Sequence, residues 1–311
     1  MRLKSVRDSS IEELNTRAGA FVAACGYEHR SSAISKILVG PRKKVALCFK
    51  EWPDALSRKQ NEEQLSSLGF ELTNVGGNDS YRVQEIVGKL LIPAESERGA
   101  IAFDISAMTR AWHGAIVREI RTTSRAAELE TFFAYVPAKF TRPIRRYVPN
   151  EFVAPVDGFA SLSTPDLPVA AVIGLGYERE RALGLKQLLD PERTVLMVPH
   201  IGEHDRFYPE VLRGNAGLLK RTPQDWIFDY SLAEPSATFA TLASIVSGLR
   251  ESYRVVLASL GPKLFGMLCF LLAARFKDVS VWRVSSGIHG QPRPVLEDMS
   301  RVSVISAVWE P

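Results

Sequence analysis

The stretch Gly99-Ala-Ile-Ala-Phe-Asp104-Ile-Ser106-Ala-Met-Thr109-Arg110 decides how the rest of the chain is interpreted. Its apolar run, residues 100–103, predicts a buried strand, and residues 111–120 continue as a helix. A carboxylate, two hydroxyls and a guanidinium stand between these two elements. Ligands of open parallel sheets bind where strands end and helices begin, and the N–H groups of a helix N-terminus suit phosphate. The stretch therefore predicts a ligand site; the alternative is that Asp104 or Ser106 only caps the helix.

Strand and helix patterns alternate along most of the chain. The predicted strands are residues 20–24, 45–49, 70–75, 100–103, 131–136, 169–173, 194–198, 226–228, 254–258 and 279–284. Helical patterns separate them, which is typical of a doubly wound parallel sheet. Ser10 and Glu13 have the spacing of a capping box, so a short helix is expected near the N-terminus.

Residues 141–168 interrupt this alternation with five prolines, at positions 143, 149, 155, 165 and 168. We interpret them as a Pro-rich connector that holds at most one extended piece. The connector divides the chain into an N-terminal lobe at 1–140 and a C-terminal lobe at 169–311. Alternating Val and Ile at 302–309 predict an edge strand at the end of the second lobe.

Two polar motifs occur twice with nearly the same offset. Gly26-Tyr27-Glu28 recurs at 176–178 (176 − 26 = 150), and Ser106-x-x-x-Arg110 recurs as Ser259-x-x-x-Lys263 (259 − 106 = 153). Each copy ends a predicted strand, so we expect an α/β fold of two tandem Rossmann-like lobes that arose by internal duplication, each with a mainly parallel sheet flanked by helices. Lobes of this kind tend to pair about a pseudo-twofold axis, which would bring Arg110 and Lys263 to opposite sides of one pocket.

Composition excludes several classes of protein. The 311 residues are 46% hydrophobic and 24% charged with a net charge of +4, which predicts a globular protein and no specific DNA binding. Cys25, Cys48 and Cys269 are scattered in apolar runs and predict buried thiols in a reducing cytoplasm, without a metal site. The first eight residues lack the apolar core of a signal peptide, and the longest apolar run, 264–274, is too short to span a bilayer. We expect a cytoplasmic protein without a membrane partner.

Asp-x-Ser-x-x-x-Arg after a buried strand resembles the signature of the CRISPR-associated Rossmann-fold (CARF) sensor domains. Asp104, Ser106 and Arg110 match its three positions; Ser259 and Lys263 match two, and Leu257 departs from the third. The resemblance implies paired domains that bind a cyclic oligonucleotide, which some members cleave as ring nucleases without a metal. No effector domain remains beside the two lobes. The resemblance therefore implies a nucleotide second-messenger sensor in prokaryotic antiviral defence, acting through an effector protein partner or as an oligomer, or else a ring nuclease.

The candidate ligand-contacting residues are Gly26, Tyr27, Glu28, Asp104, Ser106, Thr109, Arg110, Gly176, Tyr177, Glu178, Ser259, Gly261 and Lys263. Arg110 and Lys263 are expected to hold phosphates, because a cation in the first turn of a helix opposes the helix dipole and needs an anion nearby. Ser106 and Ser259 would complete the cradle together with backbone N–H groups. Leu257 stands where the first copy has Asp104, so the pocket is expected to be asymmetric.

The paired Tyr and Glu residues of the first motif admit several roles. Tyr27 and Tyr177 could stack on a base or be buried under the next helix. Glu28 and Glu178 could be stabilised by the helix dipole alone, accept hydrogen bonds from ribose, or act as catalytic carboxylates. Together with the two phosphate-binding cations they are the catalytic candidates. Two alternatives to a sensor or ring nuclease remain. The first is a nucleoside or nucleotide hydrolase that uses Glu28 or Glu178, and the second is a non-catalytic scaffold subunit of a defence complex.

One further motif is interpreted as a loop. His200-Ile-Gly-Glu203-His204 spells the inverted zinc-protease pattern, which requires both histidines on one helix face. Pro199 before it and Gly202 inside it disfavour a helix, although contact of either histidine with a ligand stays open. The sequence has no Gly-x-Gly-x-x-Gly, P-loop or nucleophile elbow, so no dinucleotide or other cofactor is expected.

Overall fold

The computed structural model describes residues 1–91, 99–142, 149–163, 165–200, 206–286 and 292–311. Two compact units divide the chain: Met1–Lys139 together with Pro292–Pro311, and Phe140–Gln291. Each unit contains a mostly parallel sheet with helices at its flanks. The predicted fold class, two Rossmann-like α/β lobes, is confirmed.

Helices and strands alternate along most of the described residues. In chain order they are β1 (Arg2–Ser9), α1 (Ile11–Arg17), β2 (Ala18–Cys25), β3 (Lys43–Phe49), α2 (Arg58–Ser67), β4 (Glu71–Val75), α3 (Ser80–Leu91), β5 (Ala100–Asp104), α4 (Arg110–Thr122), β6 (Leu129–Tyr135), β7 (Phe152–Pro155), β8 (Val169–Gly174), α5 (Arg181–Leu189), β9 (Arg193–His200), α6 (Phe207–Gly214), α7 (Ala216–Arg221), β10 (Ile227–Ser231), α8 (Pro235–Leu249), β11 (Arg254–Ser259), α9 (Lys263–Arg275), β12 (Ser280–Ser285) and β13 (Ser303–Glu310). As predicted, Ser10 begins α1, where its Oγ accepts a hydrogen bond from the backbone N–H of Glu13 (3.1 Å).

The strand order is the same in both units, except that β1 is added at one edge of the first. The sheet of the first unit runs β4-β3-β2-β5-β6-β13-β1, and that of the second runs β10-β9-β8-β11-β12-β7. In each, five parallel strands are followed by an antiparallel one, β13 or β7. The order reverses next to the first parallel strand, so the topological switch point lies between β2 and β5 and between β8 and β11. This shared order is consistent with duplication.

The predicted position of the last strand is wrong. β13 belongs to the first unit, and it lies inside the sheet, where Ile305 is opposite Asp8 of β1 and Phe133 of β6. The C-terminal lobe therefore does not extend to residue 311. The sequence did not predict β1, whose charged residues are typical of a sheet edge, and β1 covers the outer side of β13.

The Pro-rich connector is part of the second unit. Its residues 152–155 form β7, which pairs antiparallel with β12, with Phe152 opposite Ser285 and Pro155 opposite Trp282. Proline ends this edge strand, where the missing N–H costs no ladder hydrogen bond. The single extended piece expected in this region is present, whereas residues 143–148 and 164 lie outside the described part of the chain.

Buried apolar side chains fill both units. In α9, residues 264–274 are all buried, as the apolar run predicted. Cys25, Cys48 and Cys269 are buried free thiols, also as predicted. Among the described residues no helix has both the length and the apolar character needed to cross a membrane.

Candidate functional site

Both polar motifs lie at the switch point of each unit. In the first unit β2 ends at Cys25, directly before the Gly-Tyr-Glu loop, and the neighbouring parallel strand β5 ends at Asp104. In the second unit Ser259, the last residue of β11, lies opposite Gly174, the last residue of β8. Parallel neighbours present their carboxyl ends at the same edge, so motifs about 80 residues apart in sequence meet there. Arg110 and Lys263 are the first residues of α4 and α9 at this edge.

The polar residues that follow β5 hold its loop in shape. Asp104 is buried, and its Oδ1 accepts a hydrogen bond from the N–H of Ser106 (2.9 Å). The buried Ser106 Oγ accepts one from the N–H of Val136 (2.8 Å). Thr109 is the N-cap of α4 and accepts from the N–H of Trp112 (3.1 Å). The alternative that Asp104 or Ser106 caps the helix is therefore wrong, and the half-buried Arg110 begins the helix behind a Thr cap.

Gly77, in the loop after β4, joins three strand-end loops of the first unit. Its carbonyl accepts a hydrogen bond from Thr109 Oγ1 (2.8 Å), and its N–H donates to the carboxylate of Glu51 (3.0 Å), in the loop after β3. Beside it, Trp112 Nε1 donates to the carbonyl of Gly76 (3.0 Å). The loops after β3, β4 and β5 are therefore held together, and α4 is fixed against them.

Glu28 is paired with a buried cation. Its Oε2 lies 2.7 Å from Nε of Arg30, whose side chain is 8% exposed. Arg30 also donates to the carbonyl of Val136 (3.2 Å). Burial lowers the pKa of Arg30, but the Glu28 carboxylate and Tyr135 beside it raise that pKa by more, so it ends above its ordinary value. Glu28 therefore balances a permanent positive charge within its own loop.

The second unit repeats this pairing nearer to solvent. Glu178 forms an ion pair with Arg181, and the Glu178 side chain is 40% exposed compared with 18% for Glu28. The ring of Tyr177 stacks on Phe207 (5.9 Å between ring centroids). Tyr27 is half-buried, and burial raises its pKa. Both tyrosines therefore lie partly covered at the strand ends.

The serines that the sequence repeat aligned are not equivalent in position. Ser106 lies in a five-residue loop, 105–109, between β5 and α4, whereas Ser259 is the last residue of β11 and three residues separate it from α9. Ser259 Oγ donates to the carbonyl of Pro262 (3.4 Å). The two helix starts at Arg110 and Lys263 correspond, while the loops before them differ.

Two glycines let strand-end loops of the second unit touch backbone to backbone. A Cβ on Gly176 would lie 2.3 Å from the carbonyl oxygen of Leu260, and a Cβ on Gly261 would lie 2.2 Å from that of Leu175. The first unit has no such restriction at Gly26, where the nearest atom to a Cβ, a side-chain oxygen, is 3.3 Å away. Gly176 and Gly261 are thus required for close packing of the loops.

Two buried asparagines, missed in the sequence, support the Gly-Tyr-Glu loops. Nδ2 of Asn61 donates to the carbonyls of Gly26 (2.9 Å) and Glu28 (2.8 Å). Nδ2 of Asn215 donates to the carbonyl of Gly176 (2.8 Å). Their offset, 215 − 61 = 154, is close to those of the two motifs, and this signal could have revealed them. Each unit therefore has a buried asparagine that shapes its Gly-Tyr-Glu loop.

A surface hollow of 430 Å³ lies at the ends of β9 and β10. His200 lines it and packs edge-on against Tyr208 (5.5 Å between ring centroids). Residues 201–205, which include Glu203 and His204 of the inverted protease pattern, lie outside the described residues. Within the described part of the chain, no three His, Cys, Asp or Glu residues are placed to hold a metal ion.

No family model matches this chain, and no curated protein matches it. Its function is therefore inferred from the fold and from the residues at the two switch points.

Proposed function

We propose that this chain binds a nucleotide second messenger, a cyclic oligonucleotide, at the carboxyl ends of its parallel sheets. It would do so as a CARF-like sensor subunit that acts through an effector protein, or as a ring nuclease, in prokaryotic antiviral defence. One observation carries the proposal: in both units a Gly-Tyr-Glu loop and a helix that begins with a cation share the topological switch point. Open α/β sheets bind their ligands at this point.

The chemistry of the switch point favours a phosphate ligand. The first turns of α4 and α9 present backbone N–H groups and the positive end of a helix dipole, and each 13-residue helix begins with Arg110 or Lys263. Arg110 can hold a phosphate with two parallel hydrogen bonds, whereas Lys263 acts as a point charge. The two units would therefore hold phosphate in different ways.

The Gly-Tyr-Glu loops would contact the nucleoside part of the ligand. Tyr27 and Tyr177 offer partly covered rings next to the phosphate-binding helix starts. The carboxylates of Glu28 and Glu178 can accept hydrogen bonds from ribose hydroxyls. Each glutamate is already paired with an arginine two or three residues further along the chain, which reduces its repulsion of phosphate.

A thermal-shift panel of cyclic and linear oligonucleotides, with calorimetry on those that bind, tests the proposal. A ligand at 100 times its Kd stabilises the folded state by about 2.7 kcal/mol. We expect a cyclic oligonucleotide to raise the unfolding temperature, and Arg110→Ala and Lys263→Ala to reduce that shift. If no nucleotide changes the unfolding temperature, the chain is a scaffold and the proposal is wrong.

Product analysis then distinguishes sensing from cleavage. A metal-independent ring nuclease aligns a ribose 2′-hydroxyl with its own phosphate, so that the new bond forms as the 5′-oxygen leaves and takes a proton. The expected product is a linear oligonucleotide that ends in a 2′,3′-cyclic phosphate. Recovery of the intact ring identifies a sensor. Release of free base that Glu28→Gln stops while binding persists would instead identify a nucleoside hydrolase.

A further inference from the structure

The loop between β3 and α2, residues 50–57, exposes two large apolar side chains. Trp52 is 47% exposed and Leu56 is 52% exposed. Both have left-handed backbone angles, with φ of 56° at Trp52 and 45° at Leu56. A bulky residue adopts this conformation only at a cost in free energy, and such costs are concentrated at functional sites.

Hydrogen bonds at both ends hold this loop in its strained shape. At the start, the N–H of Lys50 donates to the carbonyl of Val75 (3.1 Å), and the Glu51 carboxylate accepts from the N–H of Gly77 (3.0 Å). At the end, the N–H of Ser57 donates to the carbonyl of Tyr27 (3.2 Å). Strain persists where the surroundings fix the backbone in this way. The loop is therefore built to keep Trp52 at the surface.

The same contacts place the loop at the switch point of the first unit. Ser57 connects it to the Gly-Tyr-Glu loop through Tyr27. Gly77, which binds Glu51, also accepts the hydrogen bond of Thr109, the residue before Arg110. Trp52 thus belongs to a loop that borders both the proposed ribose-binding loop and the proposed phosphate-binding helix start.

We propose that Trp52 is the residue on which the ligand's nucleobase stacks in the first unit. This inference rests on the proposed function, and it names an aromatic base as the group that this part of the site recognises. An indole offers a large flat surface that stacks on any base. Trp112 and Trp309 cannot supply this surface, because both are completely buried.

The test compares two probes that differ only in the base: adenosine 5′-monophosphate and ribose 5-phosphate, measured by calorimetry on the full chain. Stacking is lost in Trp52→Ala, which we expect to weaken binding of the nucleotide about 5- to 150-fold and to leave binding of ribose 5-phosphate unchanged. Trp52→Phe keeps an aromatic face and should retain most of the affinity. Tyr81→Ala, which removes a 72% exposed aromatic ring on α3, is the matched control and should change neither.

Trp52→Gly separates a binding role from a structural one. Glycine adopts positive φ without strain, so this variant should unfold at the same or a higher temperature while losing affinity for the nucleotide. A structural role predicts that unfolding temperature and affinity fall together, and that result would overturn the inference.

Failure of the inference and failure of the proposed function give different results. Equal binding of both probes to wild type and Trp52→Ala, with loss of both in Arg110→Ala, leaves the function standing and overturns the role of Trp52. If wild type binds neither probe nor any oligonucleotide, both proposals fall. Shielding of Trp52 from acrylamide at raised protein concentration without nucleotide would show that a second copy covers this surface, and would also overturn the inference.

Discussion

Replacing Gly176 by alanine should destabilise the second unit, whereas the same change at Gly26 should destabilise the first much less. The two glycines occupy the same place in the duplicated motif, so sequence alone gives no reason for a difference. In the structure, a Cβ on Gly176 would lie 2.3 Å from the backbone oxygen of Leu260. A Cβ on Gly26 would lie 3.3 Å from Ser31 Oγ and 3.4 Å from the Phe49 ring.

The size of the effect follows from these distances. Ordinary contact begins near 3.4 Å, so Gly176→Ala must move the backbone of one strand-end loop by about 1 Å (3.4 − 2.3). Overpacking of this kind costs about 1–3 kcal/mol, and a displaced backbone belongs at the upper end of that range. Side chains can absorb the smaller overlap at Gly26, so we expect a cost below about 1 kcal/mol there.

Thermal unfolding followed by calorimetry measures the difference. A loss of 2–3 kcal/mol lowers the unfolding temperature of a unit of this size by about 4–12 °C. Gly248→Ala, within α8 where a Cβ would have no neighbour within 4 Å, is the control and should stabilise by about 0.5–1 kcal/mol. If the alanine variants at Gly176 and Gly26 lower the unfolding temperature equally, the close backbone approach does not constrain the second unit.

Three further changes have expected outcomes. Glu28→Gln leaves the buried guanidinium of Arg30 without its carboxylate and should cost about 3 kcal/mol in urea unfolding. Asn61→Ala removes the donor to two backbone carbonyls and should cost about 1–3 kcal/mol by the same assay. Hydrogen bonds, first of all from Arg7, lower the pKa of Glu13 from 4.5 to about 2. Because this pKa is lowered on folding, the ionised Glu13 carboxylate stabilises the folded state above pH 4.5, and this stabilisation is lost as the pH falls towards 2. In Glu13→Gln the free energy of unfolding should therefore fall less steeply with decreasing pH between 4.5 and 2.

Each of these changes has a control within the chain. Glu178→Gln removes a carboxylate that is 40% exposed and screened by water, so it should cost less than Glu28→Gln; equal losses would contradict the difference in burial of the two glutamates. Gln60→Ala alters an exposed amide on the same helix as Asn61 and should be neutral. Glu12→Gln changes the neighbouring exposed carboxylate, and the free energy of unfolding should fall at acid pH as it does in wild type.

Local patterns predicted most elements because each strand and helix buries apolar residues with its own period. They failed at β13, whose alternating Val and Ile residues predicted an edge strand; Ser303 and Ser306 are two of its polar residues. Both serines are buried, because β1 lies on one side of β13 and β6 on the other. The position of β13 in the sheet depends on its pairing with β1, whose residues lie about 300 positions away in sequence. The periodicity of a segment contains no information about such pairing.

The motifs predicted where the candidate site lies, but they did not predict the role of each side chain. Asp104 and Ser106 were predicted ligand residues, and the structure shows their hydrogen bonds to the backbone. Asn61 and Asn215 carry no motif, since an asparagine that holds a loop is recognised only once the loop is placed. The strain at Trp52 was also invisible, because a positive φ at a non-glycine residue is imposed by hydrogen bonds from other loops.

The inner position of β13 has a consequence for synthesis of the protein. The ribosome completes β6 at residue 135 and begins β13 at 303, so 168 residues (303 − 135) are added before the first sheet can close. At ~5–20 residues per second this takes roughly 8–34 s, during which the nascent β6 keeps an unpaired edge. The inserted second unit can fold within that interval, whereas the unpaired edge of β6 is open to edge-to-edge aggregation until β13 is made. A permuted gene that places β13 ahead of β1 should shorten this delay and raise the yield of folded protein.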